Sequence, residues 1–225
     1  MNKKFKEKHF FVIKEAISKD VASFVYNYFM MKKQVARTFF DTKFISPFTA
    51  EWGVWNDEQV PNTYSHYADT AMETLLLAVQ PKMEKLTGLK LNPTYSYARI
   101  YKKGDILHRH KDRFSCEIST TMNLGGDSWP IYLEAKKNVG NSNDIDPNTG
   151  KNYLVETKNE GTKVTLKPGD MLVYKGCDVE HWREEFTGEN CGQVFLHYND
   201  ASDPKAEENK YDTRPFLGLP GWFKS

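Results

Sequence analysis

The sequence predicts a mainly β protein with N-terminal helices, an α+β arrangement in which short strands form a sandwich or barrel. Ahead of Asn92-Pro93, apolar residues recur three or four apart, the period of a helix with one buried stripe. Beyond that point the chain becomes a series of short aromatic or β-branched runs separated by Gly, Pro or Asp, at the even spacing of a sandwich or barrel. Its 225 residues, 39% hydrophobic and 14% aromatic, can bury one core but are too few for a multi-domain assembly.

Taken in order, Ser18 is placed to cap a first helix whose apolar positions are Val21, Phe24, Val25, Tyr28, Met31 and Val35. An aromatic stretch follows to about Pro61, with Phe39, Phe40, Phe44, Phe48, Trp52 and Trp55 in no clear period, and no element is assigned to it. A second helix is expected from about Ser65 to Leu86, with Met72, Leu75, Leu76, Val79, Met83 and Leu86 inward. Gly88 is its expected terminator, and Pro81 is expected to kink or divide it. Six strands are then expected: 95–101, 116–124, 130–134, 162–166, 171–174 and 193–198. The polar insert 136–160 carries the turn sequence Asp146-Pro147-Asn148-Thr149-Gly150 and is expected to project as a hairpin. The expected organisation is one structural domain: a helical support region (1–92), a β core (93–200) and a C-terminal tail (201–225). The tail's apolar residues Phe216, Leu217, Leu219, Trp222 and Phe223 are expected to dock on the body.

A net charge of +1 gives no general attraction to nucleic acid or acidic lipid, so no nucleic-acid partner is expected. Three cysteines without CxxC spacing suggest neither a disulfide framework nor a zinc cluster. No apolar run is long enough to span a membrane, and a soluble cytoplasmic protein is expected.

Chemistry concentrates at His110-Lys111-Asp112 and at His181. On a strand, residues two apart point the same way, so His110 and Asp112 present an imidazole and a carboxylate to one cavity. Two imidazoles and a carboxylate on one face of an octahedron leave three exchangeable positions, the arrangement of non-haem Fe(II) oxygenases. His-x-Asp also arises by chance, and the bland reading of these residues is a solvated loop pair with a surface histidine.

The context outweighs that reading. Tyr101, Gly104, His110 and Asp112 fall as Y-x2-G-x5-H-x-D, and the later Leu166-Lys167-Pro168-Gly169-Asp170-Met171-Leu172-Val173-Tyr174 leads toward His181. This pattern, over about 95–200, resembles the 2-oxoglutarate- and Fe(II)-dependent dioxygenases of the prolyl 4-hydroxylase type. The resemblance implies a double-stranded β-helix, a jelly-roll or cupin-like barrel, buttressed by helices. It also implies Fe(II) on His110, Asp112 and His181, and 2-oxoglutarate held partly by Tyr101. The implied reaction converts 2-oxoglutarate and dioxygen to succinate and CO2 while hydroxylating an unactivated C–H bond, with ascorbate as a stimulant. More narrowly, Asp112-Arg113, Cys116-Glu117-Ile118-Ser119, Glu180-His181-Trp182-Arg183-Glu184 and 192–198 are similar to bacterial and phage oxygenases that bring no substrate with them.

One departure bears on the cosubstrate. The family usually carries Arg or Lys nine to eleven residues beyond the distal histidine, to pair with the far carboxylate of 2-oxoglutarate. Asn190, Cys191 and Gly192 stand there instead. Arg183, two residues after His181, is the first replacement, since an extended strand aims it into the same cavity and its guanidinium grips a carboxylate bidentately. Arg99 and His197 are the second and third, and a surface ion pair with Glu184 or Glu185 is the plain alternative for Arg183. Among Ser119, Thr121 and Asn123, which alternate on one strand, Asn123 is the expected cosubstrate contact, its amide donating to a carboxylate and accepting from Tyr101. His108 is expected at the rim, and His9 and His66 in structural roles. Cys116 is expected as a small buried core residue, the alternative being a place near the metal where uncoupled turnover would oxidise it. The resemblance favours a prolyl residue in a peptide or protein as substrate. A free amino acid or small metabolite, or a non-catalytic jelly-roll binding protein, are the alternatives. The sequence leaves oligomeric state open.

Overall fold

A computed structural model describes residues 3–46, 49–134 and 159–224. Among the described residues three α-helices, α1 (Lys3–Lys8), α2 (Lys19–Asp41) and α3 (Thr70–Thr87), accompany ten strands. The strands are β1 (Phe10–Ile13), β2 (Tyr64–Tyr67), β3 (Leu91–Lys102), β4 (Leu107–His110), β5 (Ile118–Gly126), β6 (Ile131–Glu134), β7 (Thr162–Val164), β8 (Met171–Lys175), β9 (Glu180–Arg183) and β10 (Asn190–Asp200). They form two antiparallel sheets, a major one in the order β1-β8-β5-β10-β3-β2 and a minor one in the order β4-β9-β6-β7. Among the described residues no ladder joins the sheets. The expected mainly β class is present, as two layers.

Each of the six expected strands exists within a few residues, and four more appear. β1 and β2 come from the stretch read as helical support and become the two edges of the major sheet. β3 runs straight through Pro93, which the sequence reading took as a boundary. The missing N–H is tolerated because β2 pairs only with 97–100, so no donor is needed on that side. The insert 136–160 lies outside the described residues except for its last two.

Both faces of the major sheet are buried. Ala98, Ile100, Met122, Leu124, Val173, Val194 and Leu196 pack with α2 and α3 in the main core, whereas Arg99, Tyr101, Ser119, Thr121, Leu172, Tyr174 and His197 alternate onto the other face. There Leu172 and Tyr174 meet Ile131 and Leu133 of the minor sheet, and Tyr101 meets Leu107.

Ser18 caps α2 as expected, its Oγ accepting from the Val21 N–H at 3.2 Å. The buried face of α2 is nevertheless Ala22, Val25, Phe29 and Ala36. Of the expected stripe, Val21, Phe24 and Met31 are 45%, 74% and 70% exposed, because the two alanines let the helix approach the sheet on a face that large side chains would hold away. Tyr26 seals that approach by lying on Gly125 and Gly192, which are paired across β5 and β10. A Cβ at Gly192 would sit 2.6 Å from the Tyr26 ring.

α3 begins at Thr70, not near Ser65, because Asp69 caps it with bonds of 2.9 and 3.2 Å from the Ala71 and Met72 N–H groups. Gly88, at φ 75°, ends it as expected. Pro81 does not divide it. Both Pro81 and Leu77, whose carbonyl the ring deprives of a donor, are exposed, so water can take up that carbonyl.

The tail docks through charge more than through its apolar residues. Leu217 is buried, but Phe216 and Trp222 are 61% and 66% exposed. Arg214 instead pairs with buried Glu73 at 2.8 Å, and Asp212 accepts from Tyr67 at 2.7 Å and from both Arg113 terminal nitrogens at 2.8 and 2.9 Å. No helix among the described residues is long and apolar enough to cross a membrane.

Candidate metal centre

β4 and β9 are neighbours in the minor sheet, and their register sets His110 directly opposite His181. Asp112 follows β4, its N–H donating to the Gly176 carbonyl at 2.9 Å, which turns the carboxylate back toward the two rings. Asp112 Oδ1 then lies 3.6 Å from His110 Nε2 and 3.5 Å from His181 Nε2. One ligand atom from each of the three side chains falls within 4.8 Å of the others.

The hydrogen bonds behind these groups select their chemistry. His110 Nδ1 meets the His108 carbonyl at 2.8 Å and His181 Nδ1 meets the Val179 carbonyl at 3.0 Å. A carbonyl only accepts, so each Nδ1 carries the proton and each Nε2 presents a lone pair. Asp112 Oδ2 accepts from Ser119 Oγ at 2.8 Å, leaving Oδ1 toward the imidazoles. Metal-binding histidines and carboxylates are oriented in this way.

Burial, then the neighbouring His181, lowers the pKa of His110 to about 4. Burial acts against charge on His181 as well, but the Asp112 carboxylate outweighs it and raises the pKa. Burial disfavours the Asp112 anion, yet the two imidazoles hold its pKa well below the usual carboxylate range. The donor set of two lone-pair nitrogens and one carboxylate fits a divalent first-row metal and leaves part of its coordination sphere open.

A second group, Asp112, Cys116 and His197, also lies within 4.8 Å. Ser119 Oγ is bonded to Asp112 Oδ2, to the Cys116 carbonyl at 2.8 Å and to His197 Nδ1 at 3.0 Å, so a hydroxyl already joins these residues. They support the first group. Burial lowers the pKa of His197 to about 4. Cys116 meets the Tyr95 hydroxyl at 2.9 Å, and burial raises its thiol pKa, placing it beside the site as a protonated core residue.

A cavity of about 170 Å³ opens on the triad and is lined in part by Gln59, Tyr97, Arg99, Tyr101, Tyr174 and His197. Two of the three candidate anchors, Arg99 and His197, are therefore in its wall. Arg99 is already answered by Asp57 at 2.8 Å and also donates to the Tyr101 hydroxyl at 3.2 Å. Arg183 lies behind the wall, 1% exposed. Its terminal nitrogens donate to the Trp129 carbonyl and, at 3.3 Å, to Thr121 Oγ1. Its Nε has no partner, and among the described residues no carboxylate pairs with it. Burial lowers its pKa, while Cys191, Tyr101 and Tyr174 lie within electrostatic reach. The guanidinium is thus within electrostatic reach of Cys191, one of the three residues at which the family's base was expected. The surface ion pair with Glu184 or Glu185 is absent.

Asn123 is not brought to the cavity. Its Nδ2 donates to the Leu166 carbonyl at 3.3 Å, its Oδ1 is buried without a partner, and no bond links it to Tyr101. Thr121, one of its alternating neighbours, is the residue that contacts Arg183. His108 contributes its carbonyl to His110 from the rim. Gln59, from the unassigned aromatic stretch, was missed: its Nε2 lies 3.2 Å from His110 Nε2, and nothing in its local sequence signals this.

Neither family models nor curated proteins match the chain by sequence. Solved structures do match. A Pseudomonas putida prolyl-4-hydroxylase superposes with a TM-score of 0.54 at 13% identity, covering 87% of this chain and 95% of that one. AviO1 from Streptomyces viridochromogenes Tue57 gives 0.59 at 15% identity over 90% of this chain and 95% of its own. HygX from Streptomyces hygroscopicus, crystallised with nickel and 2-oxoglutarate, gives 0.56 at 12% identity, covering 88% and 85%. The two antiparallel sheets, the minor one holding His110 and His181 on adjacent strands, therefore have the fold of the 2-oxoglutarate-dependent oxygenases and their prolyl hydroxylase members.

Proposed function

We propose that the chain is a 2-oxoglutarate- and Fe(II)-dependent dioxygenase that hydroxylates an unactivated C–H bond, with a prolyl residue of a peptide or protein as substrate. The observation that carries this reading is the convergence of three metal-competent atoms, from His110, Asp112 and His181, within 4.8 Å at the wall of a cavity. A bound Fe(II) would supply dioxygen activation coupled to oxidative decarboxylation of the keto acid.

The chain's own residues divide the remaining work. His110, Asp112 and His181 hold the ion and leave open positions beside it. Ser119 and the carbonyls of His108 and Val179 fix the ligands' orientation. Arg183 pairs with the far carboxylate of 2-oxoglutarate. A buried guanidinium without a counter-ion is costly, and an arriving carboxylate removes that cost with two parallel N–H···O bonds. Tyr101, in the cavity wall within electrostatic reach of Arg183, contributes a hydroxyl to the same pocket.

A second substrate class, a free small molecule, is supported by HygX, which is described with hygromycin B bound at a TM-score of 0.55 and 11% identity. The test is succinate release that requires both dioxygen and 2-oxoglutarate, followed by mass analysis of proline-containing peptides and of free amino acids for the gain of one oxygen. Succinate without oxygen dependence would contradict the reaction. Oxygen gained only by the small molecules would overturn the prolyl assignment.

A further inference from the structure

Gln59 is held over the edge of the triad by a clasp that the proposed ligand roles leave unexplained. In loop 53–63, Asp57 Oδ1 accepts from the backbone N–H groups of Gln59 and Val60 at 2.8 and 3.4 Å, which fixes the turn. Its other oxygen takes Arg99 Nη2 at 2.8 Å and the Tyr97 hydroxyl. Arg99 Nη1 donates in turn to Gln59 Oε1 at 3.2 Å. A guanidinium only donates, so this bond settles which end of the carboxamide is oxygen and directs the NH2 group the other way. That group is the one 3.2 Å from His110 Nε2, the metal-facing nitrogen. Gln59 also lines a neighbouring groove of about 360 Å³ with Val60, Pro61, Ile106 and His108, so its donor stands where the groove meets the triad cavity.

On the reading proposed above, we infer that Gln59 is a ligand-binding residue whose carboxamide would donate a hydrogen bond to an oxygen of a ligand on the metal that His110, Asp112 and His181 would hold. Arg99, Tyr97 and Asp57 aim the donor in advance. A donor fixed before the ligand arrives favours an anionic oxygen without a reorganisation cost.

The test uses the full chain loaded with Co(II), and oxalate, a chelator with oxygen donors only, as the ligand probe, read by visible absorption. Gln59→Ala is expected to weaken oxalate binding by about three- to tenfold, the worth of one hydrogen bond, while Co(II) affinity stays within about twofold. Gln59→Glu, which sets a negative charge against the ligand, is expected to weaken it by more than about tenfold. Asp57→Asn, which loosens the clasp with Gln59 intact, is expected to reproduce part of the Gln59→Ala loss. Equal oxalate affinity in wild type and Gln59→Ala would overturn the inference while leaving the metal assignment standing. No Co(II) uptake by the wild type would overturn the function reading and this inference with it.

Discussion

Arg183 is fully enclosed and has no carboxylate partner among the described residues, so its guanidinium calls for an anionic ligand. Two opposite effects are expected of Arg183→Met. The 2-oxoglutarate concentration for half-saturation should rise at least about tenfold, since hydrogen bonds to a charged group are worth about 1.5–3 kcal/mol. Without 2-oxoglutarate, thermal stability should hold or increase, because an uncompensated buried charge gives way to an apolar chain. Unchanged oxoglutarate dependence would return the anchoring role to Arg99 or His197. The convergence of His110 and Asp112 with His181 was legible in their spacing, whereas strand alternation after His181 aimed Arg183 into the cavity and the structure sets it behind the wall. Asn123 lies outside the cavity lining and is not bonded to Tyr101, because the same alternation does not say how far along a strand the cavity extends. Gln59 was illegible because a loop side chain's position depends on Asp57, Tyr97 and Arg99, the last two 38 and 40 residues away in sequence.

At the scale of elements, the turn between β8 and β9 does as much for the site as the strands. Gly176 accepts the Asp112 N–H, and a Cβ there would lie 2.2 Å from the Cys116 carbonyl, 2.5 Å from Asp112 Oδ2 and 2.8 Å from Ser119 Oγ. Gly176→Ala should therefore displace Asp112 and weaken divalent metal binding by about tenfold or more, a loss isothermal titration would read, as for broken orienting contacts elsewhere. Asp69 has the corresponding part in α3, capping the helix while accepting from Tyr28 at 2.8 Å and Lys32 at 2.5 Å. Asp69→Ala should cost about 3 kcal/mol or more in urea unfolding, from the lost cap and the lysine left without its partner. α2 and α3 were legible because their periods are long. β4 and β9, of four residues each, were not assigned as strands from composition, and the strand expected to carry both His110 and Asp112 ends at His110, with the Asp112 backbone held instead by the Gly176 carbonyl. Their existence rests on mutual pairing, which local pattern does not encode. The buried face of α2 was misassigned because hydrophobicity favoured large residues where the sheet selects alanines.

For the molecule as a whole, the C-terminal tail and the cavity wall are one electrostatic unit. Asp212 in the tail binds Arg113, which lines the cavity, and Lys224 at 2.5 Å. Burial alone would raise the Asp212 pKa, but Arg113 and Lys224 hold it far below the usual carboxylate range. A folded-state pKa below the unfolded value gives stability that is present above about pH 4 and is lost as the pH falls toward the folded value. Asp212→Asn should thus lower stability by about 1–3 kcal/mol at pH 7, the partly exposed Arg113 limiting the effect, and the gap to wild type should close at acidic pH. A gap independent of pH would mean the tail docks by packing alone. The sequence expected the reverse emphasis, with docking by Phe216 and Trp222, because a partner at long sequence separation is invisible to local hydropathy.

The assembly of both sheets around three side chains is tested most directly by anaerobic Fe(II) titration of the purified chain and its variants. One ion per chain is expected in the wild type, with binding lost on separate replacement of His110, Asp112 and His181 by alanine. Binding that survives all three replacements, or that never occurs, would contradict the account.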